Sequence, residues 1–287
     1  TKGGTDTVFA SGSNDTVDGG AQADILYGES GNDSLYGGSG NDTLNGGSGN
    51  DVINGEEGID TVVFDTTAHV SFDQETHVAQ SNLTGIDVVN DIENVTTGSG
   101  DDLIWFDDSL TQANIVNSGS GDDVVATWAG NDTLNLGAGE DNGYGGAGND
   151  TLNGGSQNDH LWGEEGVDTL NGGSGADLLR GGEGVDTLTG GTGADGFIFD
   201  LGETGVGAGN RDIVTDFSQA EGDKLNFANI AGLQFIGETG FSAPNQIRFF
   251  HDGGNTIVGI NISGNSGAEM QIQLQGEIDL VAGDFYL

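Results

Sequence analysis

The sequence predicts an all-β protein in which two parallel β-rolls are joined by a β-rich insertion and followed by a C-terminal β-sheet or sandwich cap. An aspartate recurs every nine residues in two long runs, which indicates a repeated structural unit. An apolar residue follows almost every one of these aspartates two positions later, between polar neighbours, as in short strands with one buried face. Glycine supplies 56 of the 287 residues, so tight turns can separate the strands.

The repeat is clearest at residues 37–45, which read Gly-Gly-Ser-Gly-Asn-Asp-Thr-Leu-Asn. Two such nonapeptides are expected to form one turn with a strand on each side, so aspartates 18 residues apart stack about 4.8 Å from each other. Carboxylates and exposed loop carbonyls are hard oxygen ligands, of which Ca²⁺ binds about six to eight. The candidate calcium ligands are Asp6, Asp15, Asp24, Asp33, Asp42, Asp51, Asp60, Asp102, Asp123, Asp132, Asp141, Asp150, Asp159, Asp168, Asp177, Asp186 and Asp195.

The charge of the chain supports a requirement for cations. It has 47 acidic and 5 basic residues, a formal net charge of −42, and such self-repulsion opposes a compact state unless counter-ions bind. The stacked aspartates predict about 8–13 calcium ions and folding that depends on them. The same charge disfavours nucleic acid as a partner. No apolar run approaches the roughly 20 residues of a membrane span, so membrane insertion is not expected.

Breaks in the period divide the chain. Asp102 and Asp123 lie 21 residues apart, three more than one turn, and residues 106–117 are therefore expected to form a bulged, calcium-poor half-turn. Residues 252–255, Asp-Gly-Gly-Asn, are the predicted turn of a hairpin. The predicted domains are the first roll at 1–62, the insertion at 63–97, the second roll at 98–196 and the cap at 197–287.

The nonapeptide resembles the calcium-binding repeat of RTX (repeats-in-toxin) proteins over residues 1–62 and 98–196. The resemblance implies that the repeat aspartates and loop carbonyls of stacked turns share each ion. Residues 211–217 also resemble the C-terminal region of serralysin-type secreted proteases. The last four residues, Asp-Phe-Tyr-Leu, resemble the ending of substrates of the type I secretion apparatus. These likenesses imply a secreted, extracellular bacterial protein.

Catalytic motifs are not found in the sequence. Its four histidines form no His-Glu-x-x-His zinc motif, and no Gly-x-Ser-x-Gly nucleophile elbow is present. The predicted function is a non-catalytic calcium-binding module that folds on Ca²⁺ after type I secretion. It is expected to be the C-terminal part of a larger protein, such as a protease, lipase or epimerase, because Thr1 falls inside the first repeat.

An alternative function comes from one outward face of the second roll, which carries Tyr144, His160, Trp162 and Arg180. Tyr144 and Trp162 are 18 residues apart, so their rings are expected to stack on consecutive turns. An aromatic and basic patch in an acidic chain predicts a structural or adhesive module that binds polysaccharide or cell-surface material. The same face could instead be covered by the insertion, by the cap or by a missing N-terminal domain.

Overall fold

The computed structural model describes residues 3–64, 66–107, 111–264 and 267–287. Within these ranges the protein is a parallel β-solenoid with one 3₁₀ helix, Ala282–Asp284, which confirms the predicted all-β class. None of the helical structure in this part of the chain is long and apolar enough to cross a membrane. The chain forms two compact units, Thr1–Asn142 and Gly143–Leu287.

Short strands of the first unit form two sheets, to which successive repeat strands contribute alternately. In spatial order, one sheet contains β1 (Thr7–Phe9), β3 (Ile25–Tyr27), β5 (Thr43–Asn45), β7 (Thr61–Val63), β11 (Asn94–Thr96), β13 (Ile115–Ser120) and β15 (Thr133–Ala138). The other contains β2 (Thr16–Ala21), β4 (Ser34–Ser39), β6 (Val52–Glu57), β10 (Gly85–Asn90), β9 (Val78–Ser81), β8 (Val70–Asp73), β12 (Leu103–Trp105) and β14 (Val124–Ala126). Leu26 lies opposite Leu44 in parallel register, so two nonapeptides make one turn as expected.

The segment without the nine-residue period also contributes to these two sheets. Strand β10 pairs parallel with β6 and antiparallel with β9, β9 pairs antiparallel with β8, and β8 pairs parallel with β12. Strand β11 lies between β7 and β13. Val88 therefore faces Val52, a separation of 36 residues or two repeat turns. The predicted domain boundaries at residues 62, 97 and 196 stay predictions.

The bulged half-turn expected at residues 106–117 can be assessed only in part. Residues 108–110 lie outside the described residues. Residues 115–117 belong to β13, where they pair in regular parallel register with both β11 and β15. The irregularity is therefore not in this last part of the predicted segment.

The second unit contains the remaining repeats and the C-terminal strands. One sheet runs β17 (Thr151–Ser156), β19 (Thr169–Ser174), β21 (Thr187–Thr192), β23 (Asp212–Val214), β28 (Met270–Leu274), β27 (Asn255–Asn261), β26 (Gln246–Asp252) and β25 (Gln234–Phe235). The other includes β18 (His160–Gly166), β20 (Leu178–Gly184), β22 (Gly196–Ile198), β24 (Lys224–Asn226) and β29 (Phe285–Tyr286). Strand β16 (Asn142–Ala147) begins at the last residue of the first unit.

The predicted hairpin is present in the second unit. Strands β26 and β27 pair antiparallel, with Asp252 opposite Asn255. Gly253 and Gly254 both have positive φ, 60° and 84°, as a two-residue type I′ turn requires. The terminal Phe285 pairs with Leu225, so the last residues of the chain close a sheet edge as a short parallel strand.

The core of the repeats in each unit is a column of apolar side chains, one from most of the nonapeptides. Each is fully buried, and burying such a side chain stabilises the fold by about 1.5–3 kcal/mol. The period-2 burial of each strand leaves its polar neighbours on the outer surface. Members of the columns are Leu26, Leu35, Leu44, Ile53 and Val62 in the first unit, and Leu152, Leu161, Leu170, Leu179 and Leu188 in the second.

Candidate metal centre

Repeat aspartates lie at the end of each loop, directly before the next strand, and form ladders along the solenoid. In each ladder, Oδ1 of one aspartate accepts the backbone N–H of the aspartate one turn earlier. Asp24 accepts from Asp6 at 2.7 Å, and Asp177 accepts from Asp159 at 2.9 Å. The same bond joins Asp15 to Asp33, Asp24 to Asp42, Asp33 to Asp51, Asp42 to Asp60, Asp102 to Asp123, Asp123 to Asp141, Asp150 to Asp168, Asp168 to Asp186 and Asp177 to Asp195.

The second carboxylate oxygen of many ladder aspartates is buried and accepts no hydrogen bond. An ionised carboxylate in this position is strongly destabilising unless a positive charge compensates it. Asp6 and Asp15, in the first turn, differ from the rest because they are only partly buried. The buried, unpartnered Oδ2 atoms belong to Asp24, Asp33, Asp42, Asp51, Asp60, Asp168, Asp177, Asp186 and Asp195.

Loop glycines leave a space beside each of these oxygens. A Cβ atom added to Gly19 would lie 2.7 Å from Oδ2 of Asp24 and 2.5 Å from the carbonyl oxygen of Gly37, one turn further on. At Gly28 the corresponding oxygens, from Asp33 and the next loop, lie at 2.6 and 2.5 Å. A carboxylate and a backbone carbonyl therefore converge on the space that glycine leaves free, and both are the hard oxygen donors that Ca²⁺ prefers.

Backbone carbonyls are essential to this arrangement. Among the described residues, no three His, Asp or Glu side chains come together in a group that could hold a metal ion. The space beside such a glycine, here called a glycine cradle, offers at Gly19, Gly28 and Gly37 a carboxylate together with the carbonyl of a stacked turn. Ca²⁺ accepts such mixed oxygen ligands in flexible geometry. The residues therefore fit calcium better than a metal that selects side-chain nitrogen or sulfur.

Burial changes the acidity of the ladder. It raises the pKa of Asp60 to about 6 and the pKa values of Asp123 and Asp168 to about 7, while hydrogen bonds from the backbone partly oppose the rise. Neighbouring carboxylates raise these pKa values further. Without a bound cation, burial in the folded ladder therefore shifts these carboxyl groups towards the protonated form, relative to an exposed aspartate.

A second ladder, which sequence reasoning missed, runs beside the first in the opposite direction. The residue before the repeat aspartate is often asparagine, and its Oδ1 accepts the backbone N–H of its counterpart one turn later. Asn14 accepts from Asn32 at 2.9 Å, and Asn32 accepts from Asn50 at 3.0 Å. Asn158 does the same for Ala176 at 2.8 Å. The frequent Asn-Asp dipeptide is the sequence signal that could have revealed it.

Four acids outside the nine-residue period continue the aspartate ladder, and sequence reasoning missed these as well. Each accepts the backbone N–H of one of the last two repeat aspartates of a run, where no further nonapeptide follows directly. The pairs are Asp51 with Asp87 at 2.9 Å, Asp60 with Glu93 at 2.8 Å, Asp186 with Asp212 at 3.1 Å and Asp195 with Asp223 at 3.0 Å. Burial raises the pKa of Asp87 to about 7 and that of Asp212 to about 8.

These four acids share one sequence signal. Each stands two residues before a buried apolar residue, the spacing that the nonapeptide also has. Asp87 precedes Val89, and Asp223 precedes Leu225. Asp87 also has the glycine of the repeat two residues before it, Gly85, but the acid-x-apolar spacing is the signal that all four acids share.

Several loops lack a glycine of the repeat and still keep the conformation that glycine normally supplies. The φ angle is 77° at Gln22, 76° at Glu29, 70° at Glu56, 78° at Gln157 and 82° at Glu164. A residue with a side chain is strained in this left-handed region by roughly 1–2 kcal/mol. The following aspartates are nevertheless buried, so these loops retain the ladder at the expense of local strain.

Restoring glycine in one of these loops is expected to stabilise the protein. Gln157→Gly should raise the free energy of unfolding in saturating calcium by about 0.5–1 kcal/mol, because relief of strain exceeds the added flexibility of the unfolded chain. Gly173→Ala, at φ 105°, is the opposite control, since its new Cβ would clash with the carbonyl of Gly155. Urea denaturation measures the stability of both variants. A loss of stability in Gln157→Gly would contradict the claim that the backbone of Gln157 is strained.

The face proposed as an aromatic and basic patch is present, but its charge is neutralised. Tyr144 and Trp162 stack with ring centroids 4.8 Å apart and planes 7° apart, and His160 meets Trp162 edge-on at 5.4 Å. The Arg180 guanidinium forms an ion pair with Asp200 at 2.8 Å and donates from Nε to Glu203 at 2.9 Å. The stacking predicted from the 18-residue spacing is therefore confirmed, while Arg180 is engaged by acids of its own chain.

The fold and its loops define a class: an acidic parallel β-roll whose turns carry buried carboxylates beside glycine cradles. The family model for the RTX calcium-binding nonapeptide repeat (4 copies) matches residues 1–35, 27–62, 110–143, 144–179 and 162–197. These matches cover more than half of the chain. The protein therefore belongs to the RTX calcium-binding repeat family, whose repeats are typical of secreted proteins.

Solved structures provide further comparisons. The AlgE6R3 subunit of the Azotobacter vinelandii mannuronan C5-epimerase is 28% identical over 49% of this chain and 78% of its own, with a TM-score of 0.39. The AlgE6R2 subunit of that enzyme is 27% identical over 49% and 88%, with a TM-score of 0.38. The extracellular lipase LipA of Serratia marcescens is 19% identical over 100% of this chain and 40% of its own, with a TM-score of 0.32. The sequence matched none of the curated proteins with which it was compared.

Proposed function

We propose that this calcium-binding RTX chain is a non-catalytic module that folds when it binds Ca²⁺ after export through a type I secretion apparatus. The buried Oδ2 atoms of the ladder carry this proposal, because they accept no hydrogen bond and lie beside a backbone carbonyl. Each ion would be held by a repeat aspartate and by carbonyls of the stacked loop. Bound calcium would supply the positive charge that the ladder needs in order to remain ionised and folded.

The net charge of −42 gives this proposal a physical basis. Without bound cations, the carboxylates repel one another and oppose compaction, which suits passage of an unfolded chain through a secretion channel. Extracellular calcium modules bind with Kd values of about 10⁻⁴–10⁻³ M, so millimolar calcium outside the cell would drive folding. We place the chain in the C-terminal part of a larger secreted bacterial protein, whose activity lies elsewhere.

Limited proteolysis tests the proposed folding. In excess chelator, protease should cut the chain throughout both runs of repeats within minutes. In millimolar calcium, a fragment that includes the two runs should persist at least about tenfold longer, because buried backbone is protected from cleavage. Magnesium at the same concentration serves as the control ion, since it prefers rigid octahedral sites and retains its waters. Equal digestion with calcium and with chelator would refute the proposal.

Polysaccharide or cell-surface binding through Tyr144, His160, Trp162 and Arg180 is the second candidate function. The stack of Tyr144 on Trp162 covers one face of each ring, and Arg180 is paired with Glu203, so this surface supports the proposal less strongly than the ladder supports calcium binding. Tryptophan fluorescence titrated with oligosaccharides at constant calcium tests it. If the wild-type fluorescence shows no shift and no quenching, with Trp162→Phe as reference, this function is excluded.

A further inference from the structure

Asp60 is the last repeat aspartate of the first run, yet its side chain is not exposed to solvent. It is fully buried, and its Oδ1 accepts the backbone N–H of Asp42 at 2.7 Å. Its Oδ2 is buried without a hydrogen-bond partner, as in aspartates that have a further nonapeptide stacked upon them. Asp60 therefore presents the same uncompensated oxygen although no nonapeptide follows it at the usual spacing.

The Gly55 cradle beside this oxygen is completed by a residue outside the repeats. A Cβ atom added to Gly55 would lie 2.5 Å from Oδ2 of Asp60 and would clash with the carbonyl oxygen of Asp91. At Gly19 the corresponding place belongs to the carbonyl of the next repeat glycine, Gly37. Asp91 thus supplies the backbone oxygen that a following nonapeptide would have supplied.

A second carboxylate, that of Glu93, contacts the backbone of Asp60. Oε2 of Glu93 accepts the backbone N–H of Asp60 at 2.8 Å, the role that Oδ1 of a repeat aspartate has elsewhere in the ladder. The Glu93 and Asp91 carboxylates are close enough to act electrostatically on Asp60. An anionic, oxygen-lined space without a positively charged neighbour in this set of residues requires a cation to be stable.

We propose a calcium site that is closed by the backbone carbonyl of Asp91 and the carboxylate of Glu93 around Asp60. The proposal rests on the proposed function, because it assumes that the repeat loops bind calcium. It goes further in assigning an ion to residues 91–93, which lie outside the residues matched to the repeat family. The first ladder then ends in a filled site where counting nonapeptides would place an incomplete one.

Anomalous diffraction from calcium-loaded crystals of the full chain tests this site directly. We expect a calcium peak bounded by Oδ2 of Asp60, the carbonyl of Asp91 and the carboxylate of Glu93. Peaks in the repeat loops but none here would overturn this site and leave the proposed function intact. No peak anywhere in a folded chain would overturn both.

Calcium counting in solution provides the variant test. Glu93→Gln keeps an oxygen that can accept the Asp60 N–H but removes the charge, so equilibrium dialysis should find about one ion fewer per chain. Asp91→Asn keeps the backbone carbonyl and should retain that ion. Glu75→Gln, an exposed position in the same insertion, is the matched control. A Glu93→Gln protein that folds and binds as many ions as the control would overturn the site.

Discussion

Asp168→Asn is expected to destabilise the calcium-loaded protein by about 3–5 kcal/mol, the usual cost of removing one partner of a buried charge pair. Asparagine can still accept the Asp150 N–H, which lies 2.8 Å from Oδ1 in the wild type. The substitution removes the negative charge at Oδ2, which is buried without a hydrogen-bond partner. A neutral amide group would take its place beside the glycine cradle. The calcium concentration at half-folding should rise accordingly.

Glu165→Gln is the matched control for this substitution. Glu165 lies near the end of β18, three residues before Asp168, but its side chain is exposed, so Glu165→Gln removes the same charge without changing a ladder residue. Chemical denaturation at several calcium concentrations measures both variants. If Asp168→Asn unfolds at the same denaturant concentration as Glu165→Gln at every calcium level, Asp168 is not a calcium ligand.

The pH dependence of folding should reverse its direction when calcium is removed. Burial raises the pKa of Asp168 to about 7 and that of Asp212 to about 8, both above the ordinary value of 3.8. A raised pKa in the folded state means that protonation favours folding of the calcium-free chain. This contribution is fully present below about pH 4 and is lost as the pH rises through about 6–8.

Calcium reverses this behaviour because protons compete with the ion for the same carboxylates. In saturating calcium, the protein should lose stability as the pH falls from 8 to 4. Calcium-depleted protein should gain β-structure over the same range. Far-UV circular dichroism of the two samples measures both trends, and trends in the same direction would contradict the assignment of calcium to the buried aspartates.

The stacking of the repeats could be predicted from sequence because their spacing alone determines it. Once a turn takes 18 residues, Leu44 must face Leu26 and Asp42 must stack on Asp24, whose N–H it accepts in the structure. The glycines and the Asn-Asp dipeptide repeat at the same interval, so loop, ladder and core all follow from one period. Repeats in which another residue replaces a glycine keep the same conformation, since Glu164 has a φ of 82° despite its side chain.

The ends of the ladders could not be predicted in this way. Asp87 receives the N–H of Asp51 only because β8 and β9 form an antiparallel excursion within a parallel sheet. No local pattern gives the length of such an excursion, so the partner of Asp51 depends on tertiary packing. The partner of Arg180 could not be predicted for a similar reason, because Glu203 comes from an aperiodic loop.

Calcium counting and circular dichroism on the same dialysed samples of the full chain test the central claim most directly. The buried, unpartnered carboxylate oxygens predict that calcium-free protein at neutral pH lacks the β-sheet signal. On adding calcium, the signal should appear together with the binding of about 8–13 ions per chain. A full β-sheet signal at neutral pH in a sample that contains no bound calcium would contradict it.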